Sequence, residues 1–385
     1  MPKLFLFARD PGGANALLAM IPILLERGYE LSIAGKDVAV KLFENAGFAT
    51  LPITQVVPDI SAETILAFLQ TEKPDFLLTG TSSDDFTERY FWQAAETLQI
   101  PSLAIFDFWG NYGLRFSPYL AWDLDLYNLN KTHLALPTKI CMMDEFARRG
   151  MIEDGIPDDH IAVTGQPYFK KLLDRKKAIL SSKQHHLKQQ IFGETHAFAV
   201  TFGSQSLTET YQVSERGDCH WGYTEQSILQ ESVEALKEVA ERTNQKIILL
   251  IKPHPKNELP YFQTLIQNFS HPLLEIRLST EDSVWDVIEA SDLIISMFSM
   301  MLIEAVILGK PILSVQIGLR QDDPFILTQR GLTQSVLSPT ELVVRLQEIL
   351  LEPKNALVDF ELVDGAVESI VGIMEHCLCP SVLLK

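Results

Sequence analysis

The chain has 385 residues, of which 46% are hydrophobic and 21% charged, which is enough for two domains with a core each. A formal charge of -18 argues against general nucleic-acid binding, which needs clustered Lys and Arg along phosphates, so an anionic ligand would have to be held by local devices. No run of about twenty apolar residues is present to span a bilayer, Met1 to Asp10 is too short and too soon charged for a signal peptide, and Cys141, Cys219, Cys377 and Cys379 lack zinc spacing. These features predict a cytoplasmic protein with reduced thiols and no metal.

In chain order, strand and helix patterns alternate. Lys3 to Ala8 reads as a strand, Arg9 to Asn15 as a tight loop, Ala16 to Arg27 as an amphipathic helix ended by Gly28, and Tyr29 to Ala34 as the next strand. A helix over Asp37 to Ala46, closed by Gly47, leads to a short strand at Phe48 to Pro52. Then follow a helix at Ser61 to Thr71, a strand at Phe76 to Thr79, a helix at Phe86 to Leu98 and a strand at Ser102 to Phe106. Lys139 to Met142, Asp144 to Arg149 and Ile161 to Thr164 read as strand, helix and strand. This order predicts a doubly wound parallel sheet whose ligands sit at the carboxyl ends of strands.

Lys170 to Gln190 is polar, helical in propensity and rich in lysine, unlike the acidic whole. It reads as a solvated connection, with an anionic acceptor or weak association with a membrane surface as the functional alternative. Phe198 to Gln205 is a strand running into a turn, where Gly203 and Ser204 could meet a phosphate or Ser204 could cap a helix. Gln205 to Tyr223 has little periodicity and is predicted to be an acceptor-side or lid loop, with Arg216, His220 and Trp221 its chemically useful members. The apolar run Lys246 to Leu250 ends in Ile251-Lys-Pro-His-Pro-Lys256, a stiff extended loop that offers Lys252 to phosphate and His254 for hydrogen bonding or proton transfer. Asp292 to Gln316 reads as strand, turn, helix and strand. It places Ser296, Ser299 and the start of a helix where an anion could bind, with Glu304 able to accept from sugar hydroxyls.

Lys252-Pro-His-Pro255, Asp292 with Ser296, Ser299 and Glu304, and Gly309-Lys-Pro311 resemble the C-terminal half of the GT-B glycosyltransferase fold. The branch they resemble most holds nonhydrolysing UDP-N-acetylglucosamine 2-epimerases and CDP-glycerol glycerophosphotransferases. Gly150 to Pro167 is similar to the segment that closes the N-terminal domain in such proteins. The resemblance implies two doubly wound, Rossmann-like parallel-sheet α/β domains facing across a cleft, with the nucleotide donor on the C-terminal one and Ser299 and Glu304 at diphosphate and ribose. The expected boundaries are an acceptor-side domain over 1–168, a helical linker over 169–195, a donor domain over 196–355, and a C-terminal helix over 356–385 packing back on the first domain.

The candidate catalytic groups lie after the N-terminal strands. Asp10 is the best-placed general base, with helix capping as its structural alternative. Gly12 and Gly13 would let backbone approach a ligand, and Asn15 follows them; neither the dinucleotide fingerprint nor the phosphate-loop spacing is present. Asp84 and Asp85 are second candidates or helix caps, and Asp107 is a third carboxylate, beside aromatics that could stack on a sugar. His254 completes the catalytic set. The leading expectation is a metal-independent transferase that moves a sugar or polyol phosphate from a nucleotide-linked donor to a sugar or glycolipid acceptor, in surface polysaccharide or glycoconjugate synthesis. No cofactor is expected; the nucleotide-sugar is the substrate. The alternative is a nonhydrolysing nucleotide-sugar 2-epimerase, and the weaker one a nucleotide-binding protein that has lost its chemistry.

Overall fold

The computed structural model describes residues 1–178, 181–193, 195–212 and 219–378. Arg216 and Cys379, named above, lie outside the described residues. The chain divides into two compact units, Met1–Lys171 with the C-terminal stretch from Leu362, and Leu172–Glu361, so the division falls inside a helix.

In the first unit, β1 (Lys3–Ala8) leads to α1 (Pro11–Glu26), β2 (Glu30–Gly35), α2 (Val38–Asn45), β3 (Leu51–Pro52), α3 (Ile53–Val56) and α4 (Ala62–Glu72). Then come β4 (Phe76–Thr79), α5 (Thr87–Leu98), β5 (Ser102–Ile105), α6 (Leu124–Leu129), β6 (Lys139–Met142), α7 (Glu145–Glu153), β7 (Ile161–Val163) and the start of α8 (Pro167–Ala178). The seven strands form one sheet in the order β3-β2-β1-β4-β5-β6-β7, and every pairing is parallel. A parallel sheet needs cover on both faces, and the strands show it: Leu4 to Ala8 and Phe76 to Thr79 are wholly buried.

In the second unit, α9 (Ser181–Phe192) precedes β8 (Phe198–Gly203), α10 (Leu207–Tyr211), α11 (Glu225–Thr243), β9 (Ile247–Lys252), α12 (Pro260–Asn268), β10 (Leu274–Leu278) and α13 (Val284–Ala290). β11 (Leu293–Ser296), α14 (Met300–Ile307), β12 (Ile312–Ser314), α15 (Ile326–Gln329) and α16 (Pro339–Leu351) complete it. Its sheet runs β10-β9-β8-β11-β12, again all parallel. The basic stretch expected as a linker is built into this unit, because α9 packs on α13. There the Lys188 Nζ meets Asp292 Oδ2 at 2.5 Å, and Arg175 pairs with Asp286 and Glu289.

The last helix, α17 (Ala366–Leu378), belongs to the first unit. Its Val367, Ile370, Val371 and Met374 enter the core formed by Leu17, Met20, Ile21 and Leu24 of α1, and Arg27 holds Glu375 at 2.6 Å.

One local expectation fails. Arg9 to Asn15 is not a loop: α1 starts at Pro11, where a fixed φ and a missing N–H suit the first helical position. Gly12 and Gly13 therefore lie in the first turn. Gly13 needs to be small, because a Cβ there would stand 2.9 Å from the Cα of Gly80, at the end of β4.

Each sheet has one point where strand order reverses: between β1 and β4 in the first unit, and between β8 and β11 in the second. Open α/β sheets bind ligands at the carboxyl ends of the strands flanking such a point. Asp10 follows one of these ends, and Ser204 another.

Candidate functional site

At the first unit's reversal, the Arg9 guanidinium gathers carboxylates. It reaches Asp37 Oδ2 at 2.7 Å, Asp84 Oδ1 at 2.5 Å and Asp10 Oδ1 at 3.4 Å. Burial disfavours its charge, but Asp10, Asp84 and Asp85 more than offset that and hold the guanidinium firmly protonated. Asp10 occupies the N-cap position of α1, yet its side chain makes no cap hydrogen bond, so capping does not explain the residue. Asp85 pairs with Lys36 at 2.5 Å and accepts from the Thr87 N–H at 2.9 Å, while Asp84 belongs to Arg9 instead of a helix start.

Asp107, just past β5, is buried against Arg115 at 2.5 Å, and Arg115 also donates to Thr81 Oγ1 at 2.6 Å. Burial raises the Asp107 pKa against the opposing pull of Arg115. A Cβ on Gly12 would fall 1.8 Å from Asp107 Oδ2. The expectation that Gly12 and Gly13 open backbone to a ligand is thus corrected: the space they free is filled by Asp107 and Gly80. Asn15 is half-buried in the second turn of α1.

Glu88 carries no motif that marks it in the sequence. It is 1% exposed on α5; its Oε1 accepts from Ser82 Oγ at 2.9 Å, and its Oε2 is buried with no hydrogen-bond partner. Burial, with Asp85 and Asp10 adding repulsion, pushes its pKa up to about 8, so it holds a proton at neutral pH. Beside it on the helix, Arg89 donates to the carbonyls of Arg115 and Ser117, each at 2.9 Å.

In the second unit, Gln205 gathers the strand ends. Its Oε1 accepts from the Phe298 N–H at 2.9 Å, and its carbonyl accepts from Asn257 Nδ2 at 3.1 Å. Asn257 in turn takes the His254 N–H at 3.0 Å, so the loops after β8, β9 and β11 are tied together. His254 is half-buried and its Nδ1 accepts from the Lys256 N–H at 3.2 Å. Lys252 is 9% exposed, and its ammonium donates to the Asp282 carbonyl at 2.6 Å. The Asp282 carboxylate is taken by Ser279 at 2.6 Å. No carboxylate lies within ion-pair distance of Lys252 among the described residues, and burial lowers its pKa against the more distant pull of Asp282. A desolvated ammonium with no carboxylate in contact is a place for a ligand anion.

Ser299 is the N-cap of α14 and accepts from the Met301 N–H at 3.1 Å, while Glu304, one turn on, is 7% exposed. Ser296 departs from its expected role. It is fully buried at the end of β11 and donates to the Gly203 carbonyl at 2.6 Å, so it ties two strands and cannot face a donor. Gly203 is small because Met301 packs there: a Cβ would lie 2.6 Å from Met301 Sδ. Ser204 is buried, and its N–H is held by the Lys252 carbonyl at 3.0 Å.

The described part of the expected acceptor loop also packs inward. Trp221 is 8% exposed, 5.2 Å from the Phe298 ring, and His220 stacks on Tyr211 at 5.4 Å. Both therefore brace the second unit's loops. A further polar set was missed: the fully buried Gln316 accepts from Tyr223 at 2.7 Å and donates to Asp323 at 2.6 Å and Ser335 at 2.9 Å, beyond β12. Its members are far apart in sequence and have no shared spacing to reveal them. Among the described residues no cluster of metal-ligating side chains occurs, and no helix is long and apolar enough to cross a membrane.

No protein-family profile and no curated protein matches the chain. Solved structures do. UDP-GlcNAc 2-epimerase from Neisseria meningitidis, bound to UDP-GlcNAc, superposes with a TM-score of 0.67 at 15% identity, over 98% of this chain and 99% of that one. The Methanocaldococcus jannaschii UDP-GlcNAc 2-epimerase gives 0.64 at 17% identity, over 97% and 99%. The chain has the GT-B fold. Anabaena HepE, in complex with UDP-glucose, superposes with a TM-score of 0.56 at 15% identity, over 92% of each chain. The 2-epimerase neighbours lie in the branch that the Lys-Pro-His-Pro and Ser/Glu segments resemble.

Proposed function

We propose that the protein binds a nucleotide-linked sugar and inverts one carbon of that sugar, the reaction class of the nonhydrolysing 2-epimerases. Inversion requires a proton to leave a carbon and a proton to return, so the enzyme must supply a base and an acid together. The observation that carries this reading is the carboxyl set after β1, β4 and β5. Asp10 serves as the base, while Glu88 keeps its proton at neutral pH and Asp107 is shifted in the same direction. A sugar transfer needs one base and an acceptor, and has less use for several such carboxyls. The full-length likeness to 2-epimerases points the same way.

The second unit takes the nucleotide. Lys252 neutralises phosphate charge, Ser299 and the start of α14 offer hydrogen bonds to the same oxygens, Glu304 accepts from ribose hydroxyls, and His254 adds a hydrogen-bonding imidazole beside Lys252. No metal or cofactor is assigned to the step. The transferase reading stays as the second one and would add a sugar or glycolipid acceptor.

Incubation with UDP- and CDP-linked sugars separates the two. A new sugar isomer still attached to nucleotide supports epimerisation. Free nucleotide that appears only when an acceptor is added supports transfer and sinks the proposal.

A further inference from the structure

Lys252 is not the only desolvated lysine with no carboxylate partner. Lys310, in the turn between α14 and β12, is half-buried and donates to the Ser291 carbonyl at 2.9 Å. Among the described residues no carboxylate lies within ion-pair distance of it: Asp292 Oδ2 is taken by Lys188 at 2.5 Å and by the Ala199 N–H at 2.8 Å, and Glu289 is paired with Arg175. Lys310 lines a cavity of about 270 Å³ with Gln184, Ser291, Asp292, Pro311 and Leu357. One water needs roughly 10–15 Å³ by this measure, so a small molecule fits. The exposed Lys176 brings a further cation, since its Cε lies 4.0 Å from a Cβ placed on Gly309.

The pocket is separate from the candidate nucleotide site. It lies at the amino ends of β11 and β12, where Asp292 and Pro311 enter those strands, while Ser204, Lys252 and Ser299 lie at or beyond the carboxyl ends of β8, β9 and β11. The sheet's length therefore stands between them. Lys176 and Lys188 come from the basic stretch that contrasts with a chain of net charge -18, so the cations are concentrated here against the general field.

We propose that this pocket is a second binding site, for a small phosphate-bearing anion, with Lys310 as its anchor and Lys188 and Lys176 as supporting charges. A phosphate group would give the Lys310 ammonium a counter-charge in direct contact, where the chain supplies only the more distant attraction of Asp292 and Glu289. Gln184 can hydrogen-bond to its ester substituent, and Pro311 and Leu357 offer an apolar wall to it.

The test is calorimetric titration of the full chain with inorganic phosphate and with glucose 6-phosphate, with and without saturating UDP. One binding event should persist with UDP present, weaken at least tenfold in Lys310→Met, and survive in Lys310→Arg and Lys252→Met. Tighter binding of glucose 6-phosphate identifies an ester as the occupant, and equal binding identifies free phosphate; both support the site. Because Lys310→Met also removes a hydrogen bond, the wild type gives a second readout: either anion should protect Lys310 from acetic anhydride, read by peptide mass. Unprotected Lys310, or phosphate binding that Lys310→Met leaves intact, overturns the proposal. The result does not depend on epimerase activity, so failure of one reading leaves the other standing.

Discussion

Lys252 and Glu88 are both charged residue types placed where water cannot reach them freely, and each makes a different demand. Lys252 gives its ammonium only a carbonyl, at 2.6 Å. Lys252→Met should leave thermal stability equal or higher, because a desolvated charge is removed, while UDP binding weakens by about 1.5–3 kcal/mol, the range of a hydrogen bond to a charged group. Calorimetry and a melting curve on the same sample check both halves; lost stability with unchanged affinity would make Lys252 structural. Glu88 has its folded pKa raised from 4.5 to about 8 by burial. Its contribution to stability is fully present below the unfolded value and disappears as pH rises through about 8, since the folded state must then ionise a buried carboxyl. Glu88→Gln should therefore melt higher than wild type at pH 9 and lose the decline between about pH 4.5 and 8. Parallel melting profiles would show that Glu88 ionises freely.

At the scale of elements, the contacts that set the candidate site come from close backbone approach and from one distant helix. Gly13 and Gly80 let α1 seat on the end of β4, which places Asp10 beside Arg9 and Asp84. The core side of α1 is closed by α17, whose Ile370 is fully buried. Ile370→Ala should destabilise the first unit by about 2–5 kcal/mol, the usual cost of emptying a packed site, and leave UDP binding by the second unit unchanged. Differential scanning calorimetry alongside UDP titration reads the two effects, and equal loss in both would show that α17 does not act through this core.

The strand–helix alternation made the two parallel sheets legible in the sequence, because buried strands such as Phe76 to Thr79 and Ile247 to Leu250 are unbroken apolar runs bounded by glycine, proline or charge. Turn chemistry was harder to read. Pro11-Gly12-Gly13 carries loop residues, yet tertiary packing against Gly80 and Asp107 turns them into the first turn of a helix. The same local pattern at Ser296 and Ser299 hid opposite fates, a buried tie to Gly203 and a helix cap, since only the register of β11 decides which side chain points inward. Glu88, Arg115, Gln205 and Gln316 were not legible as site residues at all. Their importance comes from partners up to a hundred residues away, which no spacing within one segment reveals.

For the whole molecule, the central claim is that one protein supplies both a nucleotide anchor and the acid–base pair for inverting a sugar carbon. The most direct measurement is incubation with UDP-GlcNAc in D₂O, followed by NMR of the recovered nucleotide-sugar. The account predicts deuterium at the inverted carbon in both isomers, at a rate that falls about a hundredfold or more in Asp10→Asn, the range for a lost general base. UDP-GlcNAc recovered without deuterium from a folded, UDP-binding wild type would contradict it.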